Sequence, residues 1–156
     1  MSNVFAIIRI RGSMETQRTV EKALVQLHLT RKNHCVFITN TPSHKGILQK
    51  GKDFLTWGEV SAPVVLQLLQ KRGRVAGDRP VSDEYVEKNS PFKTLNELAD
   101  ALAQGTATMK TVKGLRPMLR LSPPLKGFKA SVKRPYPKGV LGYRGADIEK
   151  LLARMM

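Results

Sequence analysis

From residue 101 to residue 146 the chain carries no acidic side chain, yet ten lysines and arginines fall there: Lys110, Lys113, Arg116, Arg120, Lys126, Lys129, Lys133, Arg134, Lys138 and Arg144. Glycines and prolines are scattered between them, so much of this stretch cannot form a regular, self-contained helix or sheet. Unpaired like charge opposes a compact state through self-repulsion. The compensation such a stretch points to is a polyanion, and RNA is the first candidate.

The charge is unevenly spread. Residues 1–60 hold 9 basic and 4 acidic side chains, residues 61–100 hold 6 of each, and residues 101–156 hold 12 and 2. An electrically ordinary middle is flanked by two basic segments, which together give a formal charge of +15. The low aromatic share, 6%, argues against a broad aromatic platform for single-stranded bases. Cys35 is the only cysteine, which excludes an intrachain disulfide and suits a reducing compartment. No signal-peptide pattern opens the chain and no apolar run reaches the ~20 residues of a membrane span. The expectation is a soluble cytoplasmic protein.

Residues 4–10 (VFAIIRI) form the clearest strand. Val4, Ala6, Ile8 and Ile10 share a wholly apolar face, expected to be core. Phe5, Ile7, Arg9 and Arg11 share the other, which turns basic at its end. Residues 15–29 read as an amphipathic helix with Val20, Ala23, Leu24 and Leu27 inward. Residues 35–39 (CVFIT) form a second strand, and residues 54–60 (FLTWGEV) a third and weaker one. Between them Thr41 is placed to cap a short helix that has Pro42 at its first position. Ser61 can cap the next helix, with Val65, Leu68 and Leu69 inward. Thr94 and Glu97 match a capping box ahead of Leu98 and Leu102. Residues 79–91 read as connecting structure with one short helical turn. Residues 118–121 suggest a short strand and residues 126–144 an extended basic loop. Residues 147–156 return to helix, with Ile148, Leu151, Leu152 and Met155 on one stripe. That stripe needs an apolar partner, so the basic loop is pinned at both ends. The division that follows is a core over residues 1–60, a helical extension over 61–105 packed on it, and a basic extension over 106–156.

Nothing in the chain matches a phosphate-binding loop or a dinucleotide fingerprint. His28, His34, Cys35 and His44 follow no standard zinc spacing. Cys35 reads as a core thiol rather than a nucleophile, and no convergent carboxylate pair can be argued. No catalytic site, metal or cofactor is expected. Thr41-Pro42-Ser43-His44-Lys45-Gly46 places free backbone N–H groups, hydroxyls and an ammonium at a helix start, which suits a phosphate, and Lys50 and Lys52 extend that edge. On this motif alone an ordinary strand-to-helix turn remains the stronger reading. In residues 127–145, lysines and arginines supply phosphate contacts, glycines admit close backbone approach, and prolines keep the segment extended. Phe128, Tyr136 and Tyr143 either stack on bases or ribose, or anchor the loop to the core.

Residues 4–12, the helix after them, and CVFITNTPSHKGILQK at 35–50 resemble the universal large-subunit ribosomal protein family L-thirty, whose eukaryotic relative is L-seven. The match covers about residues 3–60, and Asn40-Thr41-Pro42 with Lys45-Gly46 is its specific signature. The GFKxSxKRPY and GYRG elements at 127–145 resemble the longer archaeal branch; Ala130 stands where glycine is frequent. The resemblance implies an α+β fold: a β-α-β-α-β core with a three-stranded antiparallel sheet and helices on one face, a truncated ferredoxin-like arrangement. Strand–helix–strand units read without it would default to parallel pairing. It also implies a non-catalytic role: binding 23S rRNA, supporting subunit assembly, and neighbouring other large-subunit proteins, with the region near 5S rRNA as a further contact. The RNA-facing set it carries over is Arg9, Arg11, Thr41, Pro42, Lys45, Gly46 and Lys50, with Ser43, His44 and Lys52 beside them. The extension adds Lys126, Lys129, Lys133, Arg134, Tyr136, Lys138, Tyr143 and Arg144. The competing reading is a free RNA chaperone or assembly factor that is not stoichiometric in ribosomes. An RNA-modifying enzyme lacks a pocket motif, and a membrane-surface protein lacks a basic amphipathic helix.

Overall fold

Val4–Arg9 (β1) is buried at every position, with a strand paired on each edge and helices packed over both faces. The computed structural model describes residues 4–14 and 16–156. β2 (His34–Thr39) and β3 (Leu55–Glu59) each pair antiparallel to β1, with Ala6 opposite Phe37 on one side and opposite Gly58 on the other. β2 and β3 therefore run in the same direction with β1 between them, a split β-α-β unit. The antiparallel expectation holds for these three strands. The sheet does not stop there. β4 (Leu119–Arg120) extends β2 through Cys35 and Leu119, and β6 (Gly139–Tyr143) runs parallel to β3, with Trp57 opposite Tyr143. β5 (Ser131–Pro135) lies irregularly along β6 as the outer edge. The strand order is β4-β2-β1-β3-β6-β5, six strands where three were expected.

Helices cover both faces rather than one. On one side α1 (Arg18–Gln26), the turn after it and α2 (Pro42–Gly51) bury Leu24, Leu27, Leu29 and Leu48 against Phe5, Ile7, Val36 and Leu55. On the other, α3 (Ala62–Arg72), α5 (Leu95–Gln104) and α6 (Ile148–Met155) close over Ala6, Ile8, Ile10 and Cys35. The alternation in β1 predicts one buried face only. Both are buried because the face that ends in Arg9 also receives two helices, and a strand covered on both sides reads as a continuous apolar run. α4 (Asp83–Asn89) fills the stretch read as connecting structure with one turn; the Ser82 side chain caps it by accepting from the Tyr85 N–H at 3.4 Å.

The caps explain where helices start. Thr41 accepts from the His44 N–H at 3.3 Å, ahead of Pro42, whose ring needs no N–H partner. Thr94 accepts from the Glu97 N–H at 3.3 Å, while the Glu97 carboxylate reaches the Lys93 N–H at 2.9 Å, one residue before the expected reciprocal partner. Ser61 does not cap with its hydroxyl. Its N–H instead donates to the Glu149 carboxylate at 2.7 Å, which ties the start of α3 to α6. The start of α1 falls later than expected, and Glu15 lies outside the described residues.

The stripe Ile148, Leu151, Leu152 and Met155 is fully buried, each such side chain contributing on the order of 1.5–3 kcal/mol. α6 also anchors the basic extension at its start. The Leu125 N–H donates to the Arg154 carbonyl at 2.8 Å, and the Arg154 guanidinium returns to the Leu125 and Gly127 carbonyls. The stretch 126–144, expected to be an extended loop, contains two strands instead, β5 (Ser131–Pro135) and β6 (Gly139–Tyr143). Val140 and Leu141 are both 3% exposed. The exposed basic arm is thus residues 126–138, pinned on both sides.

Gly58 marks the closest crossing of core and extension: a Cβ there would sit 2.0 Å from the Gly145 carbonyl oxygen and 3.0 Å from Ile148 Cβ. Gly58→Ala must push the backbone of residues 145–148 off the sheet. The expected outcome is a loss of roughly 1–3 kcal/mol, read as a lowered midpoint in urea unfolding with little change in slope.

Candidate nucleic-acid interface

The seam between β3 and β6 brings together two segments about 85 residues apart in the chain. α2 and its C-terminal cap residue Lys52 turn Lys45, Leu48, Gln49 and Lys52, a stripe at i, i+3, i+4 and i+7, toward that seam. Two adjoining concavities lie there and share Gln49, Trp57 and Tyr143. The first, about 390 Å³, is also lined by Phe5, Asn40, Lys45, Leu48 and Glu59. The second, about 350 Å³, is lined by Lys52, Asp53, Lys133, Pro135, Leu141 and Gly142. The result is one cleft with α2 as one wall and the β5–β6 edge as the other.

Its aromatic floor is held in place. Phe5 meets Tyr143 edge to face, with centroids 6.3 Å apart and planes at 72°. The Tyr143 hydroxyl donates to Glu59 at 2.6 Å, and that bond holds the phenol above its usual pKa. Tyr143 stays 52% exposed all the same. Gly142, at φ +82°, takes a backbone conformation that glycine supplies without strain. Before it Leu141 is buried with the α3–α5–α6 core, and after it Tyr143 stands on the opposite side with Phe5.

Of the residues singled out from the sequence, Lys45, Lys52, Lys133 and Tyr143 converge on this cleft. Pro42, Ser43 and Lys50 are exposed on α2, Lys126, Lys129, Arg134 and Lys138 are exposed along the arm, and Thr41 serves as the cap. Gly46 faces open space, with nothing within 4 Å of an added Cβ. Arg11 lies over the Phe54 ring at 5.0 Å and donates to the Asp53 carbonyl at 3.3 Å. His44 turns away, its Nδ1 hydrogen-bonded with the Thr39 carbonyl at 2.8 Å.

Three residues play structural parts. Arg9, expected to face a ligand, is 2% exposed: its Nε donates to the Arg11 carbonyl at 2.9 Å and Nη1 to the Leu29 carbonyl at 2.7 Å, and burial lowers its pKa. It joins the end of β1 to the turn after α1, so it is a misplaced member of the expected set. Arg144 donates from Nε to Thr56 Oγ1 at 3.0 Å and from Nη2 to the Val140 carbonyl at 2.9 Å, and burial lowers its pKa too. Tyr136 stacks 5.2 Å from that guanidinium and donates to Asp147 at 2.5 Å, so it anchors the arm. Trp57 is the residue that sequence reasoning missed. It sits in the weakest strand, and only its register opposite Tyr143 places it in the cleft.

Cys35 is fully buried and its thiol is pushed up to about 12, which suits a core residue and not a nucleophile. Among the described residues no His, Cys, Asp and Glu group could hold a metal ion, and no helix is long and apolar enough to cross a membrane.

The cleft on this small α/β sheet is lined by Lys45, Lys52 and Lys133 together with Glu59 and Asp53, and comparison with known proteins supplies the family. The family described as Ribosomal protein L30p/L7e matches residues 5–55. The chain is 41% identical over 152 residues to the large ribosomal subunit protein uL30 of Archaeoglobus fulgidus, covering 97% of this chain and 99% of that one. It is 43% identical to that of Methanosphaera stadtmanae, covering 98% and 100%, and 42% identical to that of Methanopyrus kandleri, covering 94% and 100%. The chain belongs to the uL30 family, and the archaeal relatives bear out the resemblance seen in residues 4–12, 35–50 and 127–145.

Two outcomes follow from this geometry. Gly46 lies inside a helix with nothing for a methyl group to meet, so Gly46→Ala should stabilise the isolated protein by about 0.5–1 kcal/mol, read as a raised urea midpoint. His34 is 4% exposed, and burial, followed by Arg120, Arg31 and Arg9, holds its imidazole below the usual histidine value. The unfolded chain therefore binds the proton more readily, and stability falls as pH drops through about 6.5 until the lowered folded value is passed. Melting temperature should fall more between pH 7.5 and pH 5.5 in the wild type than in His34→Gln.

Proposed function

We propose that this chain is a structural, non-catalytic constituent of the large ribosomal subunit in the cytoplasm, and that it binds 23S rRNA through phosphate contacts from two basic segments. Membership of a family whose relatives are large ribosomal subunit proteins supports the first part. The observation that carries the second is the convergence of Lys45 of α2 and its cap residue Lys52 with Lys133 of the basic arm on one cleft. Segments that are far apart in the sequence, each in excess positive charge, line a single surface. Phosphate contacts of this kind position a protein on RNA without reading sequence.

Around the cleft, Arg11, Ser43, Gly46 and Lys50 extend the contact along the α2 side. Lys126, Lys129, Arg134 and Lys138 extend it along the arm, and the α2 start with Thr41 and Pro42 offers backbone N–H groups. Arg9, Arg144 and Tyr136 act indirectly, by fixing the strands that carry these groups. The region near 5S rRNA and neighbouring large-subunit proteins are the further partners of this reading.

With ~6–10 phosphates neutralised, the logarithm of affinity for 23S rRNA should fall with the logarithm of salt at about 0.7–0.9 per contact. Replacing Lys45, Lys52 and Lys133 with glutamine should lower that slope by about 2–3. A flat salt dependence in filter binding of the wild type overturns the electrostatic account. Sedimentation of a native lysate should find one copy per large subunit, retained through a moderate salt wash. Presence only in light or precursor fractions would favour a free RNA chaperone or assembly factor instead.

A further inference from the structure

We propose that the cleft between α2 and the β3–β6 seam receives one unpaired, extruded RNA nucleotide, with its base against Trp57 and Tyr143 and its flanking phosphates at Lys45, Lys52 and Lys133. The inference rests on the RNA-binding reading above and adds a distinct ligand class to it: a splayed-out base rather than duplex backbone alone.

Shape is the first support. The two concavities, about 390 and 350 Å³, fall at the small end of ligand pockets and are too narrow for a duplex. A-form RNA hides its base edges in a deep major groove, and specific recognition reaches bases that are unstacked in bulges and loops. A single extruded base fits a cleft of this size.

Surface chemistry is the second. Phe5, Trp57 and Tyr143 are three of only nine aromatic residues in the chain, and they meet at one place. Trp57 is half-buried, packed against the α1–α2 core on one side and lining both concavities on the other. Tyr143 is kept exposed by a bond to Glu59 that fixes its ring. A solvent-exposed aromatic held rigid by a hydrogen bond presents a stacking face with little ordering left to lose on binding.

Charge is the third. Lys45 shares the first concavity with Glu59, and Lys52 and Lys133 share the second with Asp53. The second concavity, with two lysines to one carboxylate, is the one that draws a phosphate, while Lys45 offsets Glu59 in the first. Glu59 retains lone pairs beyond the one that takes the Tyr143 proton, so it can accept from an exocyclic amine. Asn40 and Gln49 add amide groups able to donate and accept at a base edge. The arrangement favours a base that carries an amino group, such as cytosine, over uracil.

Trp57 is the only tryptophan, so tryptophan-selective emission reports this cleft. The probes are a short RNA duplex with a single bulged cytidine and the same duplex with an abasic site at the bulge. The bulged cytidine should quench Trp57 emission and bind roughly tenfold tighter than the abasic duplex. Tyr143→Leu, a change at an exposed position, should abolish most of that preference in an anisotropy assay. Equal, salt-dependent binding of both duplexes with unchanged Trp57 emission would overturn the nucleotide site and leave the phosphate-binding reading standing. Absence of salt-dependent binding to either duplex and to 23S rRNA would overturn both.

Discussion

The Thr56 hydroxyl is the junction on which the rest of the structure depends. It is fully buried, donates to the Gly142 carbonyl at 3.0 Å and accepts from Arg144 Nε at 3.0 Å. Together with the Arg144 N–H to the Trp57 carbonyl at 2.9 Å, these bonds seal the β3–β6 seam. A buried hydroxyl without partners would cost a desolvation penalty, whereas this one has both its donor and its acceptor roles filled. The seam closes a loop of more than eighty residues, so its contacts must offset a sizeable closure entropy. Gly58 permits the last step, because only a residue without a Cβ lets the Gly145 carbonyl approach so closely.

How the net charge is tolerated follows from the same layout. Among the described residues only two ion pairs form, Arg116 with Asp78 at 3.0 Å and Lys150 with Asp147 at 2.6 Å, both solvent-facing. Pairs of this kind add little to stability. Buried Arg9 and half-buried Arg144 donate to neutral carbonyl and hydroxyl oxygens instead, Arg9 Nη2 is left buried without a partner among the described residues, and the lowered pKa of both records the cost of burial. Most remaining positive charge stays hydrated at the surface. A polyanion that binds there relieves repulsion within the folded state, so binding and stability are linked by mass action.

Much of this architecture was legible in the sequence wherever the signal is local. The VFAIIRI run, the Thr41-Pro42 cap, the Thr94 cap and the α6 stripe each carry their own periodicity or hydrogen-bonding chemistry, and each forms where expected. What stayed hidden is non-local. The GVLGY strand is embedded among lysines, prolines and glycines, and its strand character comes from pairing with β3 across the fold. Arg9 looks like a solvent marker because its charge is visible in the sequence, while the carbonyls of Arg11 and Leu29 that accept it are not. The two basic segments could be seen as charge, but their convergence depends on β6 lying beside β3. Trp57 gained meaning only from that register.

These arrangements bear on how the cleft can work. One wall is a helix with a capped start, and the other is an edge strand that would be mobile if it were only a lysine-rich loop. Arg144 beneath Tyr136, Tyr136 on Asp147, and Arg154 on the Leu125 and Gly127 carbonyls hold that edge from both sides. The ordering entropy of the arm is thereby met largely during folding, by contacts that touch no ligand. A partner then meets a wall already in place, and more of the phosphate attraction is retained as affinity. Under the proposed RNA-binding reading, Arg144 and Tyr136 act by holding the wall in place. Arg144 and Tyr136 drew notice in the sequence as contact residues; in the fold they are the reason that Lys133 and Tyr143 are where a contact could be made.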